Sequence, residues 1–519
     1  MNGANALLRA LVDAGVDICF SNPGTSEMHF VSALDQNPEM RAVLCLFEGV
    51  ASGAADGYAR VSGRAASVLL HLGPGLSNAS ANLHNARRAG SPIVNVIGDH
   101  ASYHLPLDPP LASDIESIAK AVSKLTLRVS SQNLISAMTR SAVESAMSGR
   151  RGVVSLIVPA DFSWLEVAQE ITDVSGISKE DAESCDLKDL AKKIASSAST
   201  VFLLGASAMS ERGTVAAKRI ADAYGVRIFG ETFTAVSERG AGVVNYDKLS
   251  YFSEAAIEQL KGCELLVLCG ADFPVAFFAY PDMENKLVPS GTEVVSLTSD
   301  RLSADLQLEE IGQLLGISAK AVDVFRDALP DMPKGPLTGG KAAMVLANVL
   351  PRDSIVSEEA ITNGVSSYLA TKGSNRHRWM NLMGGAIGQG MPLATGAAIA
   401  SPGSKVINLQ ADGSALYTIQ SLWTQAREGL DVTTVILNNQ SYAILQLELG
   451  RVGAAAHGEQ SRKMLELFPP VMDFVSMSEG FGVQGSRATT AEELELQLNQ
   501  AFEEGGPHLI EAILPPGLS

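Results

Sequence analysis

The chain lacks any apolar run of the ~20 residues that a membrane-spanning helix requires, and it lacks basic residues: 39 Lys and Arg stand against 57 Asp and Glu, a net charge of −18. The first absence argues against a membrane partner, and the second against nucleic acid or an anionic surface as a general one. Cysteine is scarce too. The five present (Cys19, Cys45, Cys185, Cys263, Cys269) are odd in number, show no metal-ligand spacing and sit mostly in apolar runs, so reduced structural thiols are expected. The opening residues carry no basic segment or cleavage site and pass directly into an amphipathic pattern (Leu7, Leu8, Leu11, Val12), which points to a cytoplasmic protein. Charged residues make up only 18% and hydrophobic ones 46%, a globular composition.

What is present is alternation. Strand-like and helix-like segments follow one another along all 519 residues, the pattern of α/β architecture with parallel sheets, and the length suggests about three domains. A first block closes on the buried-strand pattern Val153 to Val158. An acidic linker from Glu170 to about Asp189 follows. A middle block starts with Thr200 to Gly205, continues with strands at Val226 to Phe229 and Leu265 to Gly270, and ends in the Pro/Gly-rich stretch Leu329 to Pro336. The expected domains are 1–168, 186–328 and 338–519, each a doubly wound parallel sheet.

The most informative stretch lies in the last block. An apolar strand, Lys405 to Ala411, ends on Asp412-Gly413-Ser414; an amphipathic segment (Leu416, Ile419, Leu422, Trp423, Ala426) fits a helix; a second apolar strand ends on Asn438-Asn439. In one βαβ unit Asp412 and Asn439 emerge together at the carboxyl ends of parallel strands, where open α/β sheets bind ligands. Two hard oxygen ligands beside a helix N-terminus suit Mg²⁺, which takes few protein oxygens and completes its shell with phosphate and water. The free N–H groups of Gly413 and Ser414 can meet a diphosphate.

These residues resemble the metal motif Gly-Asp-Gly-Ser, helix, Asn-Asn of the thiamin-diphosphate (ThDP) enzymes of the 2-oxo acid decarboxylase and acetolactate synthase superfamily, with Ala411 in place of the first glycine. The resemblance extends over essentially the whole chain and implies pyrimidine-binding, middle and diphosphate-binding domains in that order. It implies that Asp412, the Asn439 side chain and the Ser441 main-chain oxygen hold Mg²⁺, and that Tyr442 belongs to the cofactor-binding set. Glu48, in Phe47-Glu48-Gly49 and the small-residue run through Arg60, is similar to the family's catalytic glutamate, which contacts N1′ of the aminopyrimidine. Ile387, in Gly384-Gly385-Ala386-Ile387-Gly388-Gln389-Gly390, is similar to the aliphatic residue that wedges between the cofactor's rings.

Other residues bear on the chemistry. Thr25, in the turn Asn22-Pro23-Gly24-Thr25, occupies the place of a small hydroxyl residue beside the substrate in the decarboxylase branch, though a helix cap explains it nearly as well. His71, after the strand Ala66 to Leu70, resembles the active-site histidine of benzoylformate decarboxylase and can move a proton near neutral pH. Gly73-Pro74-Gly75 is closer to the synthase pattern. Leu111 stands where synthases tend to place a glutamine and makes the pocket apolar; Ile444 and Leu445 are its other expected walls. Phe278 replaces the second histidine of the arylglyoxylate decarboxylases. His100 and His104 have the spacing of helical metal ligands, but Gly98 and Pro106 favour a loop, and no zinc site is expected.

The resulting expectation is ThDP- and Mg²⁺-dependent decarboxylation of a 2-oxo acid, with transfer of the carbanion to an aldehyde or ketone as a second outcome. Acetolactate synthase-type carboligation and 2-hydroxyacyl-CoA lysis are the alternatives. A non-catalytic binding protein is disfavoured by intact Glu48, Asp412 and Asn439. FAD occurs in some synthases, but no motif of the middle block calls for it. A homodimer or homotetramer is implied, with Glu48 and Asp412 of different chains serving one cofactor.

Overall fold

The computed structural model describes residues 1–169, 171, 185–297, 303–326, 328–454 and 458–517. Three sheets organise them, in agreement with the α/β reading. The first has six parallel strands in the spatial order Arg41–Leu44, Ile18–Ser21, Ala66–Leu70, Ile93–Asp99, Val153–Pro159 and Leu125–Arg128. Its central strands are aliphatic and buried along their whole length, as expected when helices cover both faces of a parallel sheet. Successive side chains go to opposite faces. Phe20, Val68, Leu70 and Ile97 join one core, and Cys19, Leu69, Val96 and Leu156 the other.

The third sheet runs Gln484–Ala488, His508–Ile513, Val432–Asn438, Val406–Ala411, Ser354–Glu359 and His377–Asn381, all parallel. Numbered by sequence within each sheet, both follow the order 2-1-3-4-6-5, so the two outer units share one topology. In each, the order reverses between the first and third strands, the switch point beyond which α/β sheets bind ligands. The middle sheet has five parallel strands, Asp247–Lys248, Arg227–Gly230, Thr200–Leu204, Leu265–Cys269 and Glu293–Ser296.

Several local expectations shift. The short segment Ser237–Arg239, inside the middle block, pairs antiparallel with His377–Asn381 and adds a seventh strand to the third sheet. Its polar sequence gives no strand signal; the Arg239 guanidinium lies 3.3 Å above the Tyr368 ring and pins it there. The helix expected after Asp412 is two, Asp412–Thr418 and Ser421–Glu428. Of the acidic linker, Glu170 and residues 172–184 lie outside the described residues, and its end caps helix Leu187–Ser196 through Asp186.

Outer domains meet through equivalent helices. Glu48–Ser62 and Gly390–Ala400 each follow the second strand of their sheet, and they cross so closely that a Cβ at Gly57 would stand 2.0 Å from the Leu393 carbonyl and one at Gly396 1.8 Å from that of Ala54. Only glycine permits that approach. Asp56 anchors the crossing: Arg60 donates to it twice (2.8 and 2.7 Å), and Ser91 and Gln389 also donate.

Candidate active site

At the switch point of the first sheet the chain leaves Ala66–Leu70 through His71, and Leu72 takes a left-handed turn (φ 50°) into helix Leu72–Ala89. A branched residue rarely adopts that conformation without compensation from its surroundings. His71 Nδ1 lies 2.8 Å from Glu27 Oε2, and Glu27 is 3% exposed. The turn Asn22 to Glu27 makes this pair possible. Gly24 donates its N–H to the same carboxylate (3.0 Å), and a Cβ on Gly24 would fall 2.2 Å from the imidazole. Burial pushes the Glu27 carboxyl above its ordinary range, and His71 pulls against that rise. Glu27 Oε1 is buried without a hydrogen-bond partner among the described residues. Thr25 opens the short helical turn Thr25–Glu27 and is exposed beside this pair.

The strand before Glu48 stops at Leu44, and Glu48 begins helix Glu48–Ser62. It is buried, and its Oε2 accepts from Asn78 Nδ2 (3.0 Å). A Cβ at Gly75 would lie 3.3 Å from Glu48 Oε1 and 3.4 Å from His71 Cβ, so Glu48 and His71 flank one glycine. Gly73 lies against Ser113, which brings the Leu111 loop to the same end of the sheet; Leu111 itself is exposed. His100 and His104 lie in a loop with their rings 5.8 Å apart. No group of three or more His, Cys, Asp or Glu side chains suited to a metal occurs among the described residues.

Third-sheet residues form a separate cluster. Asp412 is 2% exposed, and its two oxygens accept from the N–H groups of Gly413 (2.8 Å) and Gln440 (2.7 Å). Burial pushes its carboxyl up to about 6. Asn439 turns the chain with Gln440 at φ 56°; its Oδ1 accepts from Ser441 N–H (3.3 Å) and its Nδ2 donates to the Gly517 carbonyl (3.0 Å). Gly413 has the Tyr442 ring where a Cβ would be, 2.4 Å away, and Ser414 Oγ accepts from Gln410 (2.9 Å). Ile444 and Leu445 lie on helix Ala443–Arg451, which this turn launches. A buried carboxylate with only main-chain donors, beside further oxygen donors and a helix N-terminus, fits a small divalent cation and a diphosphate.

Between the clusters runs the Ile387 segment. Ile387 is half-buried, and Gly385 (φ 75°) packs against the Phe277 ring of the middle domain. Phe277 in turn stacks edge-on with Phe278, centroids 4.8 Å apart. The sequence reading missed Glu27. Its only signal is an acid three residues beyond Gly24, a spacing that reads as an ordinary cap.

Residues 1–119 match the thiamine pyrophosphate enzyme N-terminal TPP binding domain and residues 363–512 the C-terminal TPP binding domain. The chain belongs to the thiamine pyrophosphate enzymes. It is 48% identical over 99% of both chains to a Mycobacterium tuberculosis protein named "Putative acetolactate synthase large subunit IlvX". It is 27% identical to the benzoylformate decarboxylase of Pseudomonas aeruginosa, over 96% of each. The solved structure of a Rhodococcus jostii thiamine diphosphate-dependent 4-hydroxybenzoylformate decarboxylase superposes with a TM-score of 0.82 at 23% identity, covering all of both chains, a likeness of fold. This ThDP enzyme therefore carries the family's fold over its full length. Among its described residues no helix is long and apolar enough to cross a membrane.

Proposed function

We propose that this ThDP enzyme decarboxylates a 2-oxo acid and releases the aldehyde, and the observation that carries the reading is the pairing of His71 with the buried Glu27, beside Glu48. When bound, ThDP would supply a cationic thiazolium ring as the electron sink for the pair left when the 2-oxo acid loses carbon dioxide. The chain's own residues then have two tasks. Asp412, Asn439 and the Ser441 carbonyl hold Mg²⁺, and the N–H groups of Gly413 and Ser414 with Tyr442 hold the diphosphate. Glu48 holds a proton at N1′ of the aminopyrimidine, and Ile387 imposes the ring orientation. His71, oriented by Glu27, delivers the proton that releases the aldehyde. Leu111, Ile444 and Leu445 line the acceptor side and keep it apolar, unsuited to a second charged oxo acid; Thr25 presents its hydroxyl to the substrate.

The identity of 48% to a protein bearing an acetolactate synthase name favours carboligation as the second reading. Incubation with a panel of 2-oxo acids, scored for carbon dioxide, aldehyde and acyloin, separates the two. Aldehyde as principal product supports the first reading; a 2-hydroxy-2-acyl acid from two oxo acids replaces it with the second.

No flavin is assigned. In the middle sheet the strand order reverses between Thr200–Leu204 and Leu265–Cys269, the place for a nucleotide. There Gly205 N–H bonds the Cys269 carbonyl (3.0 Å), and the Glu231 carboxylate packs against Gly205. We further propose the domain limits 1–168, 186–328 and 338–519, a cytoplasmic setting suited to five free thiols, and a dimer or tetramer in which Glu48 and Asp412 of different chains serve one cofactor. Co-assembly of Glu48→Gln with Asp412→Ala chains tests the sharing: partial recovery of activity supports it, and an active monomer by light scattering refutes it.

A further inference from the structure

Helix Ala443–Arg451 leaves the turn at Asn439 to Tyr442 and is fixed at its two ends by different domains. At its start the third domain holds it: Gln446 donates to Ser441 Oγ (2.8 Å), and Tyr442 N–H bonds the Leu465 carbonyl (2.9 Å). At its far end the middle domain does. Tyr251 and the buried Tyr280 each donate a hydroxyl to Glu448, one to each carboxylate oxygen (3.1 and 2.7 Å). Arg451 pairs with Glu254 through both terminal nitrogens (3.0 Å each), its guanidinium 4.6 Å from the Phe252 ring centroid and 4.5 Å from that of Tyr280. Residues three and four apart on a helix are neighbours, so Ile444, Glu448 and Arg451 share one face, with Ile444 nearest the turn. Tyr251 also leads to a second place. Its ring packs against Phe277 (centroids 5.6 Å) and Phe233 (6.3 Å), and those two rings pack against each other (5.8 Å). Phe277 in turn fills the space beside Gly385, two residues before Ile387, where a Cβ would stand 2.7 Å from the ring.

We propose that Tyr251 of the middle domain is a positioning residue that sets the Ile387 wedge and the Ile444 wall relative to each other, its ring acting on the first and its hydroxyl on the second. The inference rests on the reading of Ile387 as a cofactor contact and of Ile444 as a wall of the substrate pocket. Every residue in it belongs to the middle or third domain. All of it therefore stands on the Asp412 side of a site whose Glu48 comes from another chain. On the wedge arm, Gly385 (φ 75°) holds a conformation that L side chains rarely adopt, and its missing Cβ lets the Phe277 ring close on the main chain. On the wall arm, hydrogen bonds from a phenol to a carboxylate are charge-assisted, and two of them leave Glu448 no oxygen free to turn aside. Ile444 lies roughly 6 Å along the helix axis from Glu448, so holding the acid holds the wall. Tyr251 touches no reacting atom. A displacement of about 1 Å at such a site can cost about 10²-fold in rate.

Three variants of the full-length enzyme separate the two arms. Tyr251→Phe keeps the ring and loses the hydroxyl, Phe277→Leu removes the ring beside Gly385, and Tyr251→Leu removes both supports. Amide hydrogen exchange is followed before ThDP is added, then kcat and KM with ThDP, Mg²⁺ and the 2-oxo acid of highest turnover in the panel. We expect exchange about tenfold faster over residues 445–451 alone in Tyr251→Phe, over residues 385–388 alone in Phe277→Leu, and over both segments in Tyr251→Leu. KM should rise about three- to tenfold in the first variant, kcat should fall about tenfold or more in the second, and the third should show both. Unchanged exchange in the two Tyr251 variants, faster exchange with unchanged kcat and KM, or a Tyr251→Leu that disturbs one segment only overturns the link. Ile387→Ala and Ile444→Ala are measured alongside: full turnover in the first or an unchanged KM in the second refutes the reading of that residue itself, whereas impairment in both with silent Tyr251 variants refutes the Tyr251 link alone.

Discussion

The first and third sheets have the same strand order, yet equivalent positions carry opposite chemistry. After the third strand of the first sheet stands His71; after the third strand of the last stands Asp412. Beyond the first strand of each sheet, or at its end, lies a buried acid, Glu27 in one and Glu359 in the other. The first acid meets an imidazole, the second the N–H groups of a glycine segment. On the proposed function the first set, an imidazole beside buried acids, would handle protons. The second, carbonyls, amide oxygens and one carboxylate, has the donor types that suit a cation. The frame supplies position in both cases, and a few side chains at the switch points decide the task.

That comparison can be broken by experiment. Glu48→Gln keeps the size of the side chain and removes its proton exchange, so turnover should fall by about 10²- to 10⁴-fold, the range for a lost acid–base group; steady-state assay with wild-type rates would remove Glu48 from the proton-handling side. His71→Ala should reduce aldehyde release by about 10²-fold and depress carboligation to an added aldehyde less, since that product needs no proton on the donor carbon. An unchanged product ratio would contradict the assignment. Glu27→Gln tests orientation alone. A hydrogen bond to a charged group is worth about 1.5–3 kcal/mol, so kcat should drop about tenfold or more while Glu27→Asp recovers part of the loss.

The smallest effect is expected at Glu231 of the middle domain, which carries neither chemistry. Burial pushes the Glu231 carboxyl from 4.5 up to about 8, and its Oε1 accepts from Asp272 N–H at 2.9 Å. The folded chain keeps that proton after the unfolded chain has lost it. Stability held by the protonated form is complete below about pH 4.5 and drains away as pH rises to about 8. Glu231→Gln removes the titration, so its melting temperature should match the parent near pH 4 and exceed it by about a few degrees at pH 8. Equal melting temperatures at both pH values would show that burial is not held at a proton's cost.

Much of this was legible in the sequence, and the reason is local contiguity. Asp412 to Ser414 and Asn438-Asn439 lie on one βαβ unit, so their meeting follows from adjacency along the chain. Glu48 is marked by the small residues after it, which the helix crossing at Gly57 and Gly396 explains. Glu27 was not legible because its partner His71 lies 44 residues away and is joined to it only across the sheet. The asparagines at 78, 82 and 85 have the period of a solvent-facing surface, and packing between two domains buries Asn82 and Asn85 while Asn78 stays exposed. Ser237–Arg239 becomes a strand because another sheet offers an edge.

Calorimetric titration of ThDP in the presence of Mg²⁺ into Asp412→Ala and Glu48→Gln tests the division of labour most directly. The account predicts that Asp412→Ala loses at least a hundredfold in affinity, because the diphosphate forfeits its cation, while Glu48→Gln binds within about tenfold of the parent yet turns over orders of magnitude more slowly. Equal cofactor affinity in the two variants would contradict it.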